Sequence, residues 1–113
     1  MSYEYRLVLA DERVCQHVIH FVKSSACYVE QQDGSIHVKD WSVNNGAAYD
    51  ARVFQEDDCA LWLEVNLRSP VLYELLKAAI GDELYKCLED GDLDNEVSLH
   101  DALGLKGARV KSE

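Results

Sequence analysis

Three aspartates stand at alternate positions near the C-terminal end of the 113-residue chain: Asp90, Asp92 and Asp94. The hydrophobic residue Val97 takes the eighth place counted from Asp90, and Asp101 takes the twelfth. Carboxylate oxygens are the ligands that hard divalent cations prefer, so this spacing could hold a metal ion. The same carboxylates, turned outward, would form an acidic surface for a positively charged partner. The surrounding elements have to decide between these two uses.

Counted from Asp90, the segment resembles an EF-hand or dockerin-type calcium loop. The resemblance implies that the ligands would come from Asp90, Asp92, Asp94, Glu96, Ser98 and Asp101. The sequence departs from the pattern at the sixth place, usually glycine, which is Asn95. It departs again at the twelfth place, where an EF-hand usually has a bidentate glutamate. We therefore treat calcium binding as the alternative interpretation and favour no metal site.

The balance of charge is the strongest compositional signal. The chain has 21 acidic and 11 basic residues, a formal net charge of −10. Phosphates of nucleic acids and anionic membrane surfaces would repel such a protein, whereas a basic protein would be attracted and steered towards it. The composition thus predicts a basic protein partner and neither a nucleic acid nor a membrane.

Motifs for catalysis are missing from the sequence. It has no G-x-S-x-G turn for a nucleophile and no glycine-rich pattern that cradles phosphate. Cys15, His17 and His20 are close in sequence, but on a helix they point in different directions and cannot converge on one zinc ion. The four cysteines lie in apolar contexts and are expected to be buried, reduced thiols. We expect a protein that is not an enzyme and needs no cofactor.

Hydrophobic periodicity predicts the elements that position these residues. Alternation predicts a strand over residues 3–10, and Asp11 is expected to cap a helix that continues to about Ser24. Two hairpins are expected around the turns at residues 32–34 and 56–58. Ser69 and Pro70 open a second helix that breaks at Gly81 and restarts as a helix behind Asp82. Ser98 is expected to cap a final helical turn, ended by Gly104.

This order of elements, β-α-β-β-β-β-α, predicts an α+β fold. We expect a five-stranded, mainly antiparallel sheet with two main helices on one face and a short C-terminal helix. A single domain would occupy residues 1–105, followed by a flexible basic tail at 106–113. No secretory signal or membrane-spanning run is recognisable, so we expect a soluble, cytoplasmic protein.

Two helices can cover only one face of such a sheet, so the other face should be open. Strand alternation assigns to it four aromatic residues among charged ones, namely Tyr28, Trp41, Phe54 and Trp62 with Glu30, His37, Lys39, Arg52 and Glu64. Aromatic and charged residues mixed in this way are typical of protein interfaces, and also of solvated sheets stabilised by cross-strand pairs.

The preferred hypothesis is a small acidic inhibitor, for example a bacterial immunity protein that blocks the active site of a cognate toxin. The partner-binding residues would be Glu56, Asp57, Asp58, Asp90, Asp92, Asp94, Trp41 and Trp62. Two alternatives remain open. One is a calcium-binding regulatory module, and the other is a homodimer of structural or regulatory role that pairs through the aromatic face.

Overall fold

The computed structural model describes residues 3–43 and 46–103. The chain begins with strand β1 (Tyr3–Leu9) and helix α1 (Glu12–Lys23). The Asp11 side chain accepts a hydrogen bond from the Val14 backbone N–H at 3.0 Å, which satisfies one of the free donors of the first turn. The apolar stripe of α1 is buried, and the predicted strand and capped helix are both confirmed.

Both predicted hairpins are confirmed as well. The first pairs β2 (Tyr28–Gln32) with β3 (Ser35–Val38), and the second pairs β4 (Ala51–Asp57) with β5 (Ala60–Val65). In the first turn, Asp33 and Gly34 have φ values of 53° and 82°. Positive φ at both central residues gives a turn whose twist matches the flanking strands, and glycine reaches that region without strain.

Helix α2 (Pro70–Ile80) begins where the sequence predicts, with the Ser69 hydroxyl accepting from the backbone N–H groups of Val71 and Leu72. It ends at Gly81, whose φ is 65°. The helix predicted behind Asp82 is wrong, because the chain there forms strand β6 (Tyr85–Glu89). A two-residue strand, β7 (Glu96–Val97), and helix α3 (Leu99–Ala102), capped by Ser98, complete the fold. Gly104 and the predicted tail lie outside the described residues.

The sheet contains seven strands rather than the predicted five, in the order β2-β3-β4-β5-β1-β6-β7, and all its pairs are antiparallel. The α+β class is confirmed. The strand count was wrong because β6 pairs with β1, a partner about eighty residues away, and that pairing replaces the predicted helix. Residues of α1, α2, α3 and one face of the sheet form a single hydrophobic core. We call the opposite face the outer face.

Candidate binding surface on the outer face

Strand register defines which side chains share the outer face. Phe54 lies opposite Trp62, Trp62 opposite Arg6, and Arg6 opposite Leu88. Directly paired residues of antiparallel strands project to the same side, so these four form one row across the sheet. The next row contains His37, Arg52, Glu64 and Glu4. The predicted outward residues of β4 and β5 therefore lie on this face.

Most charges in these rows are paired. Arg52 Nε lies 3.1 Å from a carboxylate oxygen of Glu64. Arg6 contacts Glu56 through Nε at 2.8 Å and Asp57 through Nη2 at 2.9 Å. Because these groups are partly exposed, each pair contributes at most about 1 kcal/mol to the free energy of unfolding. Their main effect is that the positive charges of Arg6 and Arg52 are neutralised within the protein.

Trp62, a predicted anchor, is half-buried rather than open. Its indole Nε1 donates a hydrogen bond to Glu4 at 3.1 Å. The turn between β6 and β7 crosses its ring, so that a Cβ placed on Gly91 would lie 3.2 Å from the indole. Trp41, the other predicted anchor, is 61% exposed. Only Trp41 of the two therefore presents a large free aromatic surface.

The region of the outer face near β3 is closed. His37 and Lys39 lie there but are buried, because the His37 ring stacks on Tyr49 with centroids 4.2 Å apart and Lys39 Nζ lies 3.8 Å from Asp50. The prediction that Tyr28 lies on this face is wrong, because its side chain packs against the core. The register shifts between Tyr28 and Glu30, and this bulge turns the tyrosine to the other side.

A buried polar cluster, which the sequence analysis missed, holds the loop that follows β3. The Asp40 carboxylate accepts hydrogen bonds from the hydroxyls of Ser42 and Ser69 at 2.5 Å each, and Asp50 accepts from the Asp40 backbone N–H at 2.9 Å. The hydrogen bonds from Ser42 and Ser69 lower the pKa of Asp40, and the bond from Ser42 has the larger effect. The cluster anchors the loop to the start of α2. The sequence gives one sign of this cluster, namely Ser69, which it predicts as the cap of α2.

Glu56 and Asp57 end β4 and Asp58 begins the turn to β5, beside the end of β1 and the start of β6. Glu56 and Asp57 are paired with Arg6, and Asp57 also accepts from the Cys59 backbone N–H at 3.0 Å. Asp58 is exposed, and no described residue pairs with its carboxylate. Of this predicted trio, Asp58 has its charge available to a partner.

The segment from Asp90 to Asp94 forms the turn of the β6–β7 hairpin at the other end of the sheet. Asp92 shapes this turn, since its carboxylate accepts from the Asp94 backbone N–H at 2.9 Å and from the Asn95 amide at 3.1 Å. Asp90 and Asp94 are exposed, and no described group pairs with their carboxylates.

The other residues of the calcium-loop resemblance belong to two elements beyond the turn, β7 and α3. Glu96 lies in β7, Ser98 caps α3 and Asp101 lies inside α3. A strand leads into the segment, and positive φ occurs at Asp90 and Gly91 rather than at Asn95. Within residues 3–43 and 46–103, no group of three His, Cys, Asp or Glu side chains is placed to hold a metal ion.

Three concavities lie near these acidic residues. One of about 130 Å³ is lined by Tyr5, Arg68, Glu89 and Asp101, with the Arg68 guanidinium 3.8 Å from the centre of the Tyr3 ring. Two wider ones, of about 350 and 480 Å³, lie on the outer face and share Val8 as a lining residue. The two wider concavities lie at the end of the sheet that carries Asp58.

None of the helices in the described part of the chain is both long and apolar enough to cross a membrane. No protein-family model, curated protein or solved structure matches this chain.

Proposed function

We propose that the protein is an acidic binding module that associates stoichiometrically with a basic protein and inhibits it. In its most concrete form it is an immunity protein that blocks the active site of a cognate toxin. The observation that carries the proposal is the set of exposed carboxylates without a described partner at the two acidic turns, those of Asp58, Asp90 and Asp94. They belong to a chain whose formal net charge is −10.

The physical basis is long-range attraction followed by close pairing. A net negative field raises the rate at which a basic protein encounters the module, and contact with lysine and arginine then slows dissociation. Enzymes that act on nucleic acids surround their active sites with such cations. Carboxylates held on rigid turns would occupy the positions of substrate phosphates and exclude the substrate.

The geometry fits one partner that contacts both turns. The turns lie at opposite ends of β1 and β6, and about five residues of strand, or roughly 17 Å, separate them along the strand direction. A protein interface of ordinary size buries about 800 Å² on each partner, which is enough to span that length.

The test begins with affinity capture of basic proteins from the source cell, followed by kinetics with the purified partner. A variant carrying Asp58→Asn, Asp90→Asn and Asp94→Asn removes three charges from the turns. The matched control carries Glu12→Gln, Glu74→Gln and Asp33→Asn, which removes three exposed charges elsewhere. We expect the first variant to associate about tenfold more slowly and to dissociate faster.

The control should retain the native dissociation rate, because its charges act only through the distant field. Equal kinetics for the two triple variants would contradict the proposal. Recovery of nothing but chaperones and ribosomal proteins would also contradict it.

A further inference from the structure

The two wider concavities of the outer face form one groove, which we call the Val8 groove. Its floor is the row in which Ala60 pairs with Val8 and Val8 pairs with Lys86, across β5, β1 and β6. The adjoining row contains the larger side chains of Trp62, Arg6 and Leu88. Because alanine and valine are short, the part of the floor over β5 and β1 lies below that row, and Lys86 borders it on β6.

An unusually exposed leucine forms part of the groove wall. Leu84 is 84% exposed, and it lines the concavity together with Val8 and Tyr85. A leucine left in water forfeits the free energy that burial of its side chain would provide. Contact with an apolar side chain of a partner, seated on Val8, would recover that free energy. The shape and apolar lining of the groove therefore call for an apolar residue.

Carboxylates stand at both ends of the groove. Asp58 lines the part that lies over β5 and Glu96 the part that lies next to β7. Both are exposed, and neither pairs with a described residue. From β5 through β1 and β6 to β7 there are three strand spacings, roughly 14 Å across the sheet, and Glu96 pairs with Leu88, one row further from the β4–β5 turn than Val8.

The basic groups of the groove do not cancel this charge. The Arg6 guanidinium is already shared by Glu56 and Asp57, which leaves Lys86 as the one other cation among the described residues that line the groove. A second copy of this chain, itself at −10, would bring carboxylates against carboxylates. Charge complementarity thus favours a basic occupant over a second copy.

We infer that the Val8 groove binds an extended segment of a basic partner protein, in which one apolar residue is flanked by a lysine or arginine on each side. An extended chain advances about 3.3 Å per residue, so the backbones of two cations four residues apart span roughly 13 Å, and their long side chains extend this reach to Asp58 and Glu96. The apolar residue midway between them then contacts Val8 and Leu84. This inference rests on the proposed function and specifies the partner's chemistry.

The test is a titration of isotopically labelled protein with the capped peptide GGKTLTKGG, followed by amide chemical shifts. We expect shifts at Val8, Tyr85 and Lys86 and none along α1 and α2. Two control peptides, GGETLTEGG and GGKTSTKGG, should each bind about tenfold more weakly, because one loses the cations and the other the apolar residue. Shifts that map to the helices, or equal binding of all three peptides, would overturn the inference.

Variants at exposed positions keep the test independent of folding. Leu84→Ser and Asp58→Asn should each weaken the peptide about tenfold. Leu93→Ser is the matched control, since Leu93 is 79% exposed in the turn at the opposite end of β6. Unchanged amide shifts outside the groove would show that each variant is folded. Indistinguishable affinities for Leu84→Ser and Leu93→Ser would overturn the inference.

The same variants separate this inference from the proposed function. If a basic partner binds tightly, depends on the exposed carboxylates and is unaffected by Leu84→Ser, the groove is not the docking site and the proposed function stands. If the peptide binds in the groove while no basic partner depends on the exposed carboxylates, the inference stands and the proposed function fails.

Discussion

A single hydroxyl, that of Ser69, joins two parts of the molecule. It accepts from the backbone N–H groups of Val71 and Leu72 at the start of α2, and it donates to the buried carboxylate of Asp40. Ser69 is 1% exposed, so water cannot replace these bonds when the hydroxyl is removed. A residue whose sequence signal is only a helix cap therefore also fixes the loop beside the outer face.

Ser69→Ala should lower the free energy of unfolding by about 2 kcal/mol at neutral pH, since it removes a cap and a donor to a buried charge. Urea denaturation measures this loss. Ser98→Ala is the control, because the Ser98 hydroxyl caps the four-residue α3 by accepting a hydrogen bond from the Asp101 N–H. A smaller loss is expected there, and equal losses would show that the bond to Asp40 contributes nothing.

The dependence of this effect on pH follows from the direction of the Asp40 shift. Folding lowers the pKa of Asp40 below its ordinary value of 3.8, chiefly through the Ser42 and Ser69 hydroxyls. The unfolded chain therefore takes up the proton first, and the stabilisation present above pH 3.8 is lost as pH falls through the folded value. The difference between native protein and Ser69→Ala should accordingly shrink as the pH is lowered below 3.8.

At the scale of elements, the β6–β7 hairpin decides how much of the outer face is open. Its turn passes over Trp62 at Gly91, which has a φ of 74° and where an added Cβ would lie 3.2 Å from the indole, closer than an ordinary contact. The turn therefore covers this end of the face and leaves the Val8 groove at the other end.

Gly91→Ala should destabilise the protein more than Gly34→Ala. Both glycines have positive φ, so alanine is strained at either position by roughly 1 kcal/mol. Only at Gly91 does the added Cβ also press on Trp62, whereas at Gly34 it meets nothing within 4 Å. Urea denaturation in a Trp41→Phe background, followed by the fluorescence of Trp62, measures both changes. Equal losses and an unchanged emission maximum would contradict the close packing.

At the scale of the whole molecule, the net charge of −10 has two effects. It destabilises the compact state by self-repulsion, and it attracts a basic partner. Carboxylates at both ends of the sheet repel one another at low ionic strength, because the Debye length is then longer than the distance between them. Added salt shortens the Debye length and screens this repulsion. The protein is thus expected to be most easily unfolded at low ionic strength.

Raising sodium chloride from about 0.02 M to about 0.5 M should increase the melting temperature, because screening weakens the repulsion. Thermal melting by circular dichroism measures this increase. Magnesium and calcium chloride at the same ionic strength complete the experiment. A rise peculiar to calcium, abolished by Asp90→Ala, would instead support the calcium interpretation.

The parts of the fold that sequence predicts well are those settled within a few residues. Asp11 and Ser69 cap helices through neighbouring backbone groups, and the turn at Asp33 and Gly34 closes a hairpin by its own dihedral angles. The structure of the segment after Gly81 is not settled by neighbouring residues. Cys87 and Leu88 are adjacent apolar residues that suit one side of a helix, yet in β6 they are buried on opposite faces of the sheet.

By itself, then, the sequence determined the net charge, the two hairpins and the two capped helices. It also determined the alternation that places strand residues on the core face or on the outer face. Tertiary structure alone decided that β6 pairs with β1, that Gly91 covers Trp62, and that Val8, Leu84 and Asp58 share one groove. The physical reason is range. Caps and turns depend on groups within a few residues of one another. A groove depends on strands that are far apart in the chain and are held side by side by a common core.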